Sequence, residues 1–143
     1  MKKVLSIFFI LFLVSCASNK GAKFEKLEEA KNNEAIIYFY RPSYFGAMVH
    51  YTVKDEDKKP IQKIYPYSYF LYKTDKLGKR EFSAKTEATK KISFDVEAGK
   101  TYFVKSNIAW GILIGRPKFK LIENKEEALK DLKKCSVMLD DNK

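Results

Sequence analysis

The chain has 143 residues, enough for one domain, and its 45% hydrophobic and 32% charged residues exclude both a disordered chain and a multi-span membrane protein. Two cysteines and one histidine exclude a disulfide scaffold, a zinc finger of Cys and His ligands, and most histidine-based catalysis. The aromatic content of 15% suits a packed, β-rich core, and the net charge is +10.

The first element is an address. Lys2 and Lys3 precede an apolar run from Val4 to Val14, broken only by Ser6. As a helix this run spans about 16 Å, against about 30 Å of bilayer hydrocarbon. It has the build of a secretory signal peptide over residues 1–15. The run ends in Leu13-Val14-Ser15-Cys16, which resembles the lipobox of bacterial lipoproteins. That resemblance implies diacylglycerol on the Cys16 thiol, cleavage before Cys16 and N-acylation. Two or three acyl chains give stable anchoring where one is marginal. Lipoproteins held at the inner membrane typically carry Asp after the cysteine, so Ala17 points to the outer membrane, facing the periplasm, in a cell with two membranes. Cleavage removes two lysines and lowers the net charge to +8. With Cys16 lipidated, Cys135 has no intramolecular disulfide partner.

Residues 16–33 read as the lipidated cysteine and a tether. Ala17 to Ala22 is small and polar, and the spacing of Phe24 and Leu27 predicts a short helix over 24–31. The folded domain is expected over 34–137, with 138–143 a disordered tail. From Ala35 the period is two. Ala35, Ile37 and Phe39 share one face, Ile36, Tyr38 and Tyr40 the other, which predicts a central strand ended by Arg41-Pro42. Ala47 to Val53 alternates like a half-buried strand, and Asp55 to Pro60 is a charged, solvated turn. Short strands follow at 61–65, 68–72 and 80–84. A hairpin joins Ile92–Val96 to Tyr102–Ser106 across Gly99. After a last strand at 119–122, Asn124 caps a helix, with Glu127 three residues on. Its apolar face (Ala128, Leu129, Leu132, Cys135) is expected to close an edge or end of the sheets. The fold class is mainly β, an antiparallel β-sandwich with a short C-terminal helix.

Ala35–Ser43, Tyr69-Phe70, Val96–Lys105 and Glu126–Cys135, in this order, resemble the bacterial lipoprotein family known as "domain of unknown function 2846". The resemblance covers residues 34 to 135. It implies an envelope-located, transthyretin-like or immunoglobulin-like sandwich, and it carries over no catalytic residue. Leu77-Gly78 stands where such domains often have Pro-Gly.

No motif for a metal, a phosphate or a nucleophile is present, so no catalytic residue, cofactor or metal is expected. His50, the sole imidazole, reads as solvated. Cys135 reads as a buried, inert thiol. Arg41 reads as paired with a buried carboxylate such as Asp95 or Glu97, with a ligand-facing cation as the alternative. Tyr65, Tyr67 and Tyr69 lie in an aromatic run from 65 to 72 that is either core or a binding face for sugars or protein. Ile108 to Gly115 is the most apolar stretch after the leader. It reads as a core strand, with a loop presenting Trp110 and Ile112 to a membrane or partner as the alternative. Of the 28 basic residues 25 are Lys, spread along the chain, and export makes nucleic acid an unexpected partner. The expected role is non-enzymatic binding or scaffolding: the membrane through the lipid anchor, with an envelope protein or glycan as partner. The rival is a small-ligand carrier or envelope hydrolase, which needs Arg41, His50 and tyrosines around one pocket.

Overall fold

The computed structural model describes residues 20–139. The leader 1–15, Cys16 and the tail from Asp140 lie outside the described residues. Ten strands and one helix follow in order: β1 (Lys20–Lys23), β2 (Ala35–Arg41), β3 (Tyr51–Lys54), β4 (Pro60–Ile64), β5 (Ser68–Thr74), β6 (Gly78–Lys85), β7 (Thr89–Val96), β8 (Thr101–Ala109), β9 (Arg116–Leu121), α1 (Lys125–Leu132) and β10 (Ser136–Met138). They form a six-stranded sheet, β1-β10-β5-β2-β8-β9, packed on a four-stranded sheet, β4-β3-β6-β7. Pairing is mostly antiparallel, with β2–β8 and β10–β5 parallel. This is the expected mainly-β sandwich.

The two faces of β2 behave as their alternation requires. Ala35, Ile37 and Phe39 enter the core between the sheets, with Val53, Ile64, Phe82, Phe94 and Val104. Ile36, Tyr38 and Tyr40 enter a second core on the outer face, with Phe24, Phe103, Ala128, Leu132 and Cys135. Between the sheets, Phe39 stacks on Phe70 and meets the edge of Phe82, each at 5.1 Å between centroids. The expected hairpin across Gly99 does not form: β7 pairs with β6 in the small sheet and β8 with β2 and β9 in the large one, so the turn, with Gly99 at φ 74°, carries the chain from one sheet to the other. Asn124 Oδ1 accepts from the Glu127 amide at 2.9 Å, as the capping pattern predicts.

Three further expectations change. Residues 24–31 form no helix. Phe24 donates its amide to the Cys135 carbonyl at 3.0 Å, and Glu28 donates its amide to the Tyr38 hydroxyl at 2.8 Å. Phe24 and Leu27 are drawn onto the outer face of β2, and that contact outweighs a marginal isolated helix. Lys20 to Lys23 is not tether but β1, paired to β10, and Met138 is buried in the inner core rather than in a tail. The helix α1 covers the outer face of the large sheet rather than an edge or end.

Phe82→Ala removes a ring that touches Phe39, Tyr72 and Phe94 across the interior. The expected loss is about 3–5 kcal/mol, read as a lower denaturant midpoint at unchanged slope.

Candidate functional site

The site lies where β2 ends. Arg41 is fully buried, and its guanidinium donates to three backbone carbonyls: Val49 at 2.6 Å, Phe45 at 2.8 Å and Gly46 at 2.8 Å. Among the described residues no carboxylate pairs with it, so the expected partners Asp95 and Glu97 are replaced by the chain that follows. Those bonds curl residues 42–50 into a loop, which is why β3 begins only at Tyr51 rather than near Ala47. The guanidinium is fully buried and turned onto the loop backbone, so it is not presented to a ligand at the surface.

The second loop is 110–115. Ile108 is buried, but the expected core strand stops at Ala109 because no strand lies beside the chain beyond it. Trp110, Ile112 and Leu113 are 84%, 84% and 87% exposed. The two loops meet over Ile108. Gly46 (φ 66°) and Gly115 (φ 94°) approach it so closely that an added Cβ would stand 2.9 and 2.8 Å from its Cγ2. Above that contact Phe45 meets Trp110 edge-on at 5.1 Å.

Glu87, in the β6–β7 turn, holds the second loop in place. Its carboxylate accepts from the amides of Ile112 (2.7 Å), Leu113 (2.8 Å) and Ile114 (3.2 Å), and from Arg116 Nε (3.1 Å). The Leu113 amide, followed by those of Ile114 and Ile112 and by Arg116, holds the carboxyl down to about 2. Thr86 donates its hydroxyl to the Gly115 carbonyl at 2.6 Å. The loop is therefore a fixed shape whose polar backbone faces inward and whose side chains face water.

The other aromatic candidates divide. Tyr67, exposed at the β4–β5 turn with φ 52°, stacks on the exposed Tyr44 at 6.3 Å. Tyr65 is half-buried and stacks on the exposed His50 at 4.9 Å. Tyr69 is near this end but on the outer face, where it packs on Phe24 and Tyr38 in the outer core. One end of the sandwich thus gathers Tyr44, Phe45, Met48, Tyr67, Trp110, Ile112 and Leu113 as exposed apolar side chains. Trp110, Tyr67 and the Arg41 loop, named from the sequence, come together there. Glu87 was not named, and its partners lie 25 to 29 residues away.

The pocket that a carrier or hydrolase needs does not form from Arg41, His50 and the tyrosines. An open cleft of about 790 Å³ runs between residues 27–30 and the ends of β8 and β9, lined by Tyr102 but by neither Arg41 nor His50. Cys135 is buried, and burial pushes its thiol up to about 12. Asp55 is buried rather than solvated, its Oδ1 accepting from the amides of Asp57 and Lys59 at 3.0 and 2.9 Å. Among the described residues no helix is long and apolar enough to cross a membrane, and no group of three or more His, Cys, Asp or Glu is placed to hold a metal.

Arg41→Met leaves three carbonyls without a donor, with an expected loss of about 2–4 kcal/mol in equilibrium unfolding. Glu87 is depressed, so its contribution is full above the ordinary carboxylate range and fades as pH falls through about 2. The emission of Trp110, the single tryptophan of the chain, is expected to stay flat from pH 7 to pH 4 and to change as pH approaches 2. Glu87→Gln should abolish that step while circular dichroism shows the sandwich still folded.

No family model, no curated protein and no solved structure matches this chain.

Proposed function

We propose that this protein is a lipid-anchored protein of the cell envelope, of the "domain of unknown function 2846" kind, with a non-enzymatic binding or scaffolding role. Acyl chains on Cys16 hold it to the membrane, on the outer membrane's periplasmic side in a cell with two membranes. The working surface is the loop end, and its partner is an envelope protein, a glycan or the membrane surface. Nucleic acid is not among the partners.

The observation that supports this reading is the exposed apolar end itself. Large exposed apolar side chains that are contiguous, rather than scattered singly, mark interaction surfaces. Here they are presented on loops that Arg41 and Glu87 fix in shape, so a partner meets a surface already ordered. The lipobox at Leu13–Cys16 supports the anchor.

Mass spectrometry of the mature N-terminus tests the anchor. The expected species begins at Cys16 and carries the mass of diacylglycerol and an N-acyl chain. Cys16→Ser is expected to lose metabolic palmitate label and to leave the membrane fraction. An unmodified Cys16, or cleavage elsewhere, refutes the reading.

A further inference from the structure

β1 runs toward the loop end: Lys23 pairs with Ser136, which pairs with Ser68, and Lys20 pairs with Met138, two residues farther from that end. Lys20 is four residues after Cys16 and donates its ammonium to the Pro66 carbonyl, in the turn that carries Tyr67. Tyr67 stacks on Tyr44, the neighbour of Phe45, which meets Trp110. Four extended residues reach at most about 14 Å. Lys20 stands two residues, about 7 Å, from the loop end along the sheet, so an anchor at Cys16 is within reach of the bilayer plane that this end would meet.

Carboxylates are unevenly divided between the two ends. The segments that build the loop end, 42–50, 65–67, 110–115 and 133–135, contain no Asp or Glu. The one carboxylate among the connecting residues there, Glu87, is taken up by three amides and Arg116. Lys54, Lys63 and Lys85 stand around one cleft with His50 and Thr86, beside the apolar loops. On the other flank Lys23 donates to the Lys134 carbonyl. The far-end turns hold Asp55, Glu56, Asp57, Asp75 and Glu97, interspersed with Lys58, Lys59, Lys76 and Lys100, so carboxylates and lysines are mixed there. A surface with an apolar, aromatic tip, a lysine surround and few carboxylates fits an anionic lipid interface.

We infer that the loop end is a second membrane contact. Trp110, Ile112, Leu113 and Met48 enter the interface of the same bilayer that holds the acyl chains, and the flanking lysines meet anionic headgroups. This rests on the lipid-anchor reading for its geometry. The tip occupies the bilayer to a depth of about 5–10 Å, as interfacial elements do. Four strand spacings, about 19 Å, separate β1 from β8 in the large sheet, so anchor and tip are two distinct points of attachment.

Trp110 is the only tryptophan, which makes the test direct. The acylated full-length mature protein is reconstituted into vesicles of phosphatidylethanolamine and phosphatidylglycerol, with and without lipids brominated along the chain. Flotation reads the anchor, and quenching of Trp110 reads the tip. The expected result is flotation together with a blue shift of about 10 nm and loss of about half the emission to bromine, as for an interfacial tryptophan. Replacing Ile112 and Leu113 together by Ser should leave flotation intact and remove most of the quenching. Both side chains are more than four-fifths exposed, so the fold is expected to survive, as thermal melting checks. Flotation without quenching overturns the inference and leaves the anchor standing. If the protein does not float, the anchor falls. The inference then stands only if Cys16→Ser protein added to excess vesicles is still quenched, and falls if it is not. A dimer in vesicle-free solution that Ile112→Ser dissolves, with Trp110 unquenched on vesicles, assigns the face to a second copy and also overturns the inference.

Discussion

Everything in this molecule follows from β2 being apolar on both faces. All seven of its residues are buried. A strand of that kind needs paired neighbours on both edges and cover on both sides. The edges go to β5 and β8, one antiparallel and one parallel. One side is covered by the second sheet through Phe39 and Phe82. The other is covered by α1 and by residues 24–30, which have no helix of their own and are shaped by what they cover. The parallel β2–β8 pair explains the position of the site. It sends the ends of both strands to the same end of the sandwich, so the loops that follow, 42–50 and 110–115, are neighbours although about 70 residues separate them in the chain.

Two buried arginines finish the two ends in different ways. At the far end Arg80 donates to Glu56 at 2.8 Å, to Thr74 Oγ1 at 3.0 Å and to the Lys76 carbonyl at 2.9 Å, an ion pair in a turn region already rich in acids. At the loop end Arg41 has only carbonyl partners. A guanidinium is the side chain suited to this, since its fork of donors can hold several acceptors in fixed directions. Satisfying Arg41 with backbone also keeps carboxylates away from the loop end. The difference in carboxylates between the two loop systems therefore goes with how each is stitched, by an ion pair at one end and by backbone carbonyls at the other.

The sequence makes the regular elements legible where a pattern is local. The alternation from Ala35 to Tyr40 assigns both faces of β2 correctly, and Asn124 caps its helix at the expected place. Gly99 marks a turn, but the local pattern does not tell a hairpin from a crossing between sheets, which is what β7 and β8 make. Segments whose partner is distant are not legible in this way. Phe24 and Leu27 fit a helical stripe, but they also fit an extended segment lying on Tyr38, and the spacing cannot say which. Ile108 to Gly115 is apolar throughout, and hydropathy alone does not tell a buried strand from an exposed loop. The difference is whether another strand runs past Ala109. Arg41 invited a search for a carboxylate because buried cations are usually paired that way, whereas backbone carbonyls leave no signature in sequence. Glu87 sits in a polar connection that reads as a simple turn, and its three amide partners belong to a loop whose order in space is set by β8 and β9.

The pinning of residues 110–115 bears most directly on function. A flexible loop carrying Trp, Ile and Leu would lower its free energy by folding those side chains back onto the sandwich, since burial of each is favourable. Four hydrogen bonds to Glu87, one from Thr86 and the close glycine contacts over Ile108 prevent that collapse. The apolar side chains stay in water because the backbone beneath them is already satisfied and fixed. Such an arrangement keeps the open loop below a collapsed one in free energy despite its exposed apolar surface, and it lowers the entropy lost when the surface is covered. A loop held open against its own hydrophobicity is what supports the proposed contact surface, because the side chains it presents are ordered before anything covers them.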